Sequence, residues 1–139
     1  MAHYFHFFDD TGSVGFDRHW IAELFANVAM YGYVAEQEPE QLPLLTTIVD
    51  ANAEADPEQW SALEIGAMGG GSPSGYIWAQ FMFIFVAERI WRVAGAPAIG
   101  HFRQALHEPS RTDDEIAKAL SVLDPSVAAM IRNWPDVSA

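Results

Sequence analysis

The sequence predicts an all-α fold, an irregular bundle of about six helices around a central apolar helix. Two observations indicate this fold. Apolar residues recur every three to four positions through most of the chain, and Pro and Gly divide it into segments of helical length. Near the N-terminus, residues 3–8 alternate loosely and predict a short strand or an extended arm. The 139 residues fit one domain, 1–139, whose core needs no disulfides, and the chain has no cysteine.

The first helix is predicted to follow Asp17, which suits an N-cap, with Phe16 and Ile21 placed as a hydrophobic staple. Its inward face is one apolar stripe at helical spacing. The stripe comprises Trp20, Ile21, Leu24, Phe25, Val28 and Tyr31.

A second helix is predicted to begin after Pro39 or Pro43 and to expose Asp50 and Glu54. Because its apolar residues cluster on one side, we expect that side to face the core. The residues expected to be buried are Leu44, Leu45, Ile48 and Val49.

A third helix is predicted between Asp56, as N-cap before Pro57, and Gly66. The glycine-rich segment 67–75 follows. A helix N-terminus after glycines can bind phosphate, but this segment lacks the lysine of a P-loop and the spacing G-x-G-x-x-G. We therefore interpret it as a flexible connector.

The longest helix is predicted from Tyr76 to Ala94. Its first three turns are apolar on every side, so it is either central in the bundle or contributes an uncovered side to a homodimer. In its last turns Glu88 and Arg92 are spaced as an i, i+4 ion pair. Gly95 and Pro97 are predicted to stop it.

A short helix is predicted around residues 99–107, and two more complete the chain. Thr112 and Glu115 have the spacing of a capping box for the first, and Asp124 with Pro125 starts the second. The side chains predicted to face inward are Ile116, Leu120, Leu123, Val127, Met130, Ile131 and Trp134.

Charge is distributed unevenly along the chain, whose net charge is −12. Residues 1–66 contain twelve acidic side chains and a single base, Arg18, whereas residues 67–139 contain seven acidic and six basic side chains. Acids held on a folded surface without local neutralisation predict a positively charged partner. No Lys or Arg occurs between Glu36 and Glu64, a stretch that contains Glu36, Glu38, Glu40, Asp50, Glu54, Asp56, Glu58 and Glu64.

The same acidity argues against nucleic acid and anionic membranes as partners, because both require clustered Lys and Arg and Lys118 is the only lysine. The apolar run 76–87 is shorter than the roughly 20 residues of a membrane span. Residues 1–10 lack the pattern of a signal peptide, and the absence of cysteine fits a reducing compartment. We expect a cytoplasmic protein.

The N-terminal residues His3, His6, Asp9, Asp10 and His19 are of the types that bind Zn, Mn or Fe and that serve in acid and base catalysis. They form no complete motif such as H-E-x-x-H, so ordinary surface residues are the preferred interpretation. No catalytic residue, metal ligand or cofactor is assigned. A small metal-dependent enzyme that uses this group is the alternative function.

Two further groups have a structural and a functional interpretation. The basic stretch 89–111 can hold an anionic ligand, but we expect it to lie against the acidic first half and offset its self-repulsion. The aromatic residues of 76–91 can line a pocket or a homodimer face, but aromatics at helical spacing are usually core. A helical homo-oligomer with a scaffold or regulatory role, built on 76–91, is a third candidate function.

The acidity predicts an inhibitor that docks on a basic protein, since opposite potentials speed association. In size, acidity and lack of a catalytic motif, the chain resembles the small acidic immunity proteins with which bacteria neutralise nuclease toxins. This resemblance implies that the acids mimic substrate phosphates and cover the toxin's active surface, with Trp60 or Tyr33 as an aromatic anchor. The predicted partner-binding residues are Glu36, Glu38, Glu40, Glu54, Asp56, Glu58, Trp60 and Glu64.

Overall fold

The computed structural model describes residues 19–53, 73–106 and 112–123, together with positions 125, 126 and 129. Five α-helices and one 3-10 turn contain nearly all of these residues, and no strand occurs among them, which confirms the all-α prediction for this part of the chain. The elements are α1 (His19–Gln37), the 3-10 turn (Pro39–Gln41), α2 (Leu42–Ala53), α3 (Pro73–Ala94), α4 (Pro97–Leu106) and α5 (Asp113–Leu120).

Some predicted elements fall outside the described residues. These are the strand or arm at 3–8 and the third helix at 57–66. Of the last predicted helix, Pro125, Ser126 and Ala129 are described, and all three are helical. None of the helices in the described ranges has the length and apolarity needed to cross a membrane.

Helix α1 buries the face that its periodicity predicts. Leu24, Phe25, Val28 and Tyr31 are all buried, and this face packs chiefly on α3. Burial of this stripe supplies most of the stability of α1, because each fully buried large apolar side chain contributes roughly 1.5–3 kcal/mol.

Gly32 sets how closely α1 approaches α3. A Cβ atom built at this position would lie 2.3 Å from Cη2 and 2.4 Å from Cζ3 of Trp91, far inside van der Waals contact. The indole ring of Trp91 therefore lies directly on the backbone of α1, which only a glycine permits at this point.

A buried amide network also joins α1 to α3. Asn27, which is 7% exposed, donates through Nδ2 to the carbonyl oxygen of Glu23 and to Oε1 of Gln80, both at 2.9 Å. Gln80 in turn donates through Nε2 to Oε2 of Glu23 at 2.8 Å. Because a buried polar group that lacks a partner costs about 1–3 kcal/mol, these bonds fix the register of the two helices.

Helix α3 packs against α1, α2 and α4. It begins at Pro73 rather than at Tyr76, because Pro at the first helical position has a suitable φ and no N–H to leave unpaired. The last residues of the predicted connector therefore belong to the helix.

The prediction that the first turns of α3 are apolar on all sides is also modified, since Gln80 is half-buried and Phe85 is 38% exposed. The buried side chains are Ala79, Met82, Phe83, Ile84, Val86, Ala87 and Ile90.

Helix α2 corrects one predicted core residue. Val49 is buried and Leu45 packs partly buried against the core, but Leu44 is 55% exposed. Successive residues of a helix are about 100° apart, so a face centred on Leu45 and Val49 turns Leu44 toward solvent. Asp50 is exposed, as predicted.

Gly95 ends α3 in the left-handed conformation, at φ 57°, and its N–H donates to the carbonyl of Trp91 at 2.8 Å. Pro97, predicted only as a stop, is the first residue of α4, where its missing N–H has no cost. Phe102 of α4 is fully buried, and its ring centroid lies 6.0 Å from that of Phe25.

The capping box before α5 is confirmed. The N–H of Thr112 donates to Oε2 of Glu115 at 2.7 Å, and the N–H of Glu115 donates to Oγ1 of Thr112 at 3.3 Å. Leu120 and Leu123 are buried, as their spacing predicts.

Candidate functional site

Three of the eight predicted partner-binding residues lie in the described part of the chain, and all three are exposed. Glu36 is in the last turn of α1, Glu38 is the N-cap of the 3-10 turn, and Glu40 lies within that turn. We refer to these three residues as the acidic corner. The other five, Glu54, Asp56, Glu58, Trp60 and Glu64, lie outside the described residues.

The backbone of the acidic corner is hydrogen-bonded throughout. The N–H of Glu38 donates to the carbonyl of Val34 at 2.9 Å, and the N–H of Gln41 donates to the carbonyl of Glu38 at 2.8 Å. The N–H of Leu42 then donates to the carbonyl of Pro39 and leads the chain into α2. Glu36 and Glu40 thus lie in helical turns and Glu38 lies at the junction between them, on backbone held by hydrogen bonds. Docking on an ordered backbone avoids part of the ordering cost of binding.

No basic side chain neutralises the acidic corner within the described ranges. Glu36 and Glu40 form no ion pair with a described residue, and the last turn of α1 contains no base. The carbonyl end of a helix carries negative partial charge, so a carboxylate there destabilises the helix by about 0.3–1 kcal/mol at low ionic strength. This cost applies to Glu36 alone, since Glu40 lies in the first turn of the 3-10 helix, where a carboxylate is favourable.

Tyr33 lies next to these acids. Its ring is 59% exposed, and its hydroxyl donates to Oε1 of Glu38 over a long 3.4 Å. An exposed aromatic ring beside charged groups is a common binding hot spot. Of the two aromatic anchors that the sequence suggests, Tyr33 lies beside the acidic corner, and Trp60 lies outside the described residues.

The outer face of α1, opposite its buried stripe, is not among the features that the sequence predicts. Ala26 and Ala29 are half-buried there, Met30 is 37% exposed and Tyr33 is its most exposed apolar residue. We refer to these four residues as the outer strip. The available signal was the absence of any charged residue from Leu24 to Ala35, which leaves the helix without a polar face.

Arg92, from the predicted basic stretch, forms an ion pair with Glu88 one turn earlier in α3, as its spacing predicts. Its guanidinium also lies close enough to the Tyr31 hydroxyl of α1 to influence the pKa of that group. Burial raises the pKa of the Tyr31 hydroxyl and the charge of Glu88 raises it further, while Arg92 opposes both effects. Arg92 of the basic stretch thus pairs with Glu88 of its own helix and not with the carboxylates of the acidic corner.

The metal-site alternative falls mostly outside the described residues. His3, His6, Asp9 and Asp10 are not among them, and His19 is the first residue of α1. Within the described ranges no three His, Cys, Asp or Glu side chains are grouped to hold a metal ion. The metal-dependent enzyme stays a prediction.

No protein-family model, no curated protein and no solved structure matches this chain. Its function is therefore inferred from its composition and from the geometry of the described residues.

Proposed function

We propose that this protein is an acidic inhibitor that binds a basic protein through the acidic corner. The partner is a bacterial toxin of nuclease type, and the inhibitor covers its active or substrate-binding surface as an immunity protein does. The chain then works in the cytoplasm, where such a toxin has to be neutralised. It adds no chemistry of its own to the complex.

One observation carries this proposal. Glu36, Glu38 and Glu40 expose three carboxylates within five positions of the chain, on hydrogen-bonded backbone and without an ion pair to a described base. A nuclease binds phosphates through clustered Lys and Arg, so a fixed group of carboxylates offers it a comparable pattern of negative charge.

The net charge of −12 supports the same function kinetically. Opposite potentials raise association rates from about 10⁵–10⁶ toward 10⁸–10⁹ M⁻¹s⁻¹ at low salt. Fast capture matters for an inhibitor, since any toxin left free continues to act. In this proposal the described helices belong to one bundle of about six helices around α3, which holds α1 and the acidic corner in place.

The proposal predicts that a gene for a basic toxin domain lies beside the gene for this chain, and the product of such a gene is the partner used in the test. We expect the full chain to inhibit its nuclease activity at a one-to-one ratio. We also expect the affinity to fall at least tenfold between about 50 and 300 mM NaCl, because ion pairs at an interface rim are screened by salt. Titration calorimetry and nuclease assays measure both effects.

Two charge-matched variants locate the effect. Glu36→Gln/Glu40→Gln and Asp50→Asn/Asp114→Asn each remove two negative charges, but only the first pair comes from the acidic corner. We expect the first variant to bind about 5- to 30-fold more weakly than the second, since each lost rim charge costs about 0.5–1 kcal/mol. Equal affinities would contradict the proposal, as would inhibition that does not depend on salt.

The first variant also controls for folding. Glu36→Gln relieves repulsion at the carbonyl end of α1, whereas Glu40→Gln removes a favourable charge from the first turn of the 3-10 helix. Because the two effects oppose each other, we expect the stability of Glu36→Gln/Glu40→Gln to lie within about 1 kcal/mol of that of the natural chain. Urea unfolding followed by circular dichroism measures this. Weaker binding by a variant of nearly unchanged stability cannot then be attributed to loss of structure.

A further inference from the structure

The outer strip of α1 is a partly exposed helix face without charge, since Met30 and Tyr33 are exposed and Ala26 and Ala29 are half-buried. Met30 is 37% exposed and Tyr33 is 59% exposed, while Ala26 and Ala29 present only methyl groups. Solvent-facing helix surfaces normally carry charged or polar residues, and contiguous exposed apolar surface marks interaction sites. The stretch from Leu24 to Ala35 contains no charged residue at all.

The strip has the spacing at which one helix receives another. Ala26, Met30 and Tyr33 recur at intervals of four and three, which is the spacing of the seam between two packed helices. Gln37, which lies beyond the outer strip, continues this seam after a further interval of four. Small residues at one end of such a seam allow close approach, and Met30 and Tyr33 supply larger side chains to interdigitate. From Ala26 to Gln37 the seam is about 16 Å long, equal to three turns of a partner helix.

The negative charge beside the outer strip determines which kind of partner can bind there. The outer strip ends at the acidic corner, where Glu36 and Glu38 are exposed without a described base to pair with. A second copy of this chain carries the same net charge of −12 and is repelled, and an anionic lipid surface is repelled likewise. A basic helix is attracted.

We propose that the outer strip and the acidic corner together dock a basic amphipathic helix of the partner protein. Its apolar side chains lie on Met30 and Tyr33, and its Lys or Arg side chains reach Glu36, Glu38 and Glu40. The inference rests on the proposed function, since it names the part of the basic partner that meets this face. The apolar contact sets the dissociation rate, and the carboxylates set the association rate and orientation.

The test uses two synthetic peptides of about 18 residues, built only of Leu, Lys and Ala and identical in composition. In the first, Leu recurs at helical spacing on one face, and in the second the order is shuffled so that Leu is spread around the helix. Fluorescence anisotropy measures their binding to the full chain at about 50 and 300 mM NaCl. We expect the amphipathic peptide to bind at least about tenfold more tightly than the shuffled one.

A matched pair of variants tests the strip itself. Met30→Ala/Tyr33→Ala removes its two large side chains, and Val93→Ala/Val122→Ala shortens two exposed apolar residues elsewhere, 59% and 74% exposed. We expect the first variant to lose about tenfold or more in affinity for the amphipathic peptide at both salt concentrations, and the second to stay within about twofold. Unchanged helical circular dichroism verifies the fold of both.

Three results overturn this inference. The first is equal binding of the two peptides, and the second is an equal effect of the two variants on peptide binding. The third is a stable dimer of the natural chain that Met30→Ala/Tyr33→Ala dissociates, because a second copy would then be the protein that binds the outer strip. If the charge variant Glu36→Gln/Glu40→Gln weakens toxin binding while the strip variant does not, the inference fails and the proposed function stands. If only the strip variant weakens binding, the electrostatic part of the proposed function fails.

Discussion

Gly32 is the residue whose replacement the structure constrains most tightly. Alanine is the better helix former by up to about 1 kcal/mol, but its methyl group would overlap the indole ring of Trp91, 2.3 Å away. We expect Gly32→Ala to lower the free energy of unfolding by about 1–3 kcal/mol, the usual cost of overpacking. Urea unfolding measures the change.

Gly100 provides the matched control for Gly32. It lies in α4, is exposed, and has no atom within 4 Å of the position that a Cβ would take. Gly100→Ala should therefore stabilise the chain by about 0.5–1 kcal/mol. If both substitutions changed stability in the same direction, the contact between Gly32 and Trp91 would not be the cause.

Tyr31 predicts a pH dependence at the alkaline end. Because burial and Glu88 raise its pKa in the folded chain, the unfolded chain ionises first as the pH passes about 10. The free energy of unfolding is then unaffected below that pH and falls above it, until the folded hydroxyl ionises too. We expect this fall to be smaller in Tyr31→Phe when unfolding is measured between pH 9 and 11, and identical slopes would contradict the prediction.

At the scale of elements, the amide network decides how α1 and α3 align. Asn27→Ala leaves Oε1 of Gln80 without its buried donor, and Gln80→Ala leaves Asn27 with only the carbonyl of Glu23. Each substitution is expected to cost about 1–3 kcal/mol.

The double variant Asn27→Ala/Gln80→Ala distinguishes this network from two independent losses. Its cost should fall below the sum of the single costs by at least 0.5 kcal/mol, because the second substitution removes a group that the first left unpaired. Thr46→Ala, at an exposed position of α2, should change stability by less than about 0.5 kcal/mol. Strict additivity of Asn27→Ala and Gln80→Ala would mean that the two side chains are not coupled.

Local signals predicted the helix ends well. The capping box of Thr112 and Glu115 and the left-handed Gly95 depend only on neighbouring residues, so their sequence patterns were sufficient. The burial of individual side chains depends on which helix packs where. Leu44 and Phe85 look like core residues in a periodic pattern, but each lies partly outside the surface that its neighbours cover.

The candidate site could be predicted in part, because some of its features are local in the sequence and others depend on how the helices pack. Charge without compensation is visible in a sequence, so Glu36, Glu38 and Glu40 were identified, and Tyr33 was named as an anchor. The outer strip was not, because apolar residues at helical spacing were all attributed to the core. Only the packing of α1 on α3 shows that Met30 faces away from it.

At the scale of the whole molecule, the net charge of −12 opposes compactness. Salt screens this repulsion, since the Debye length falls from about 30 Å at 0.01 M to about 10 Å at 0.1 M. We expect the melting temperature to rise by about 4 °C between 10 and 200 mM NaCl, which for a chain of this size corresponds to about 1 kcal/mol. Differential scanning calorimetry measures it.

The variant Glu36→Gln/Glu38→Gln/Glu40→Gln serves as the control for this salt effect. It carries three fewer negative charges, so its melting temperature should rise less over the same range of NaCl. A melting temperature that did not respond to salt in the natural chain would mean that its carboxylates are too far apart to repel one another.

Helix α1 presents one face to α3 and the opposite face, with Met30 and Tyr33, to solvent. A protein that binds the outer face of α1 therefore contacts the same helix whose opposite face packs in the core. Binding of a partner to the folded chain alone raises the free energy of unfolding by RT ln(1 + [L]/Kd), where [L] is the free partner concentration and Kd its dissociation constant. If the chain has the proposed function, it should accordingly resist digestion by proteases while its partner is bound, and its lifetime in a cell should follow the supply of that partner.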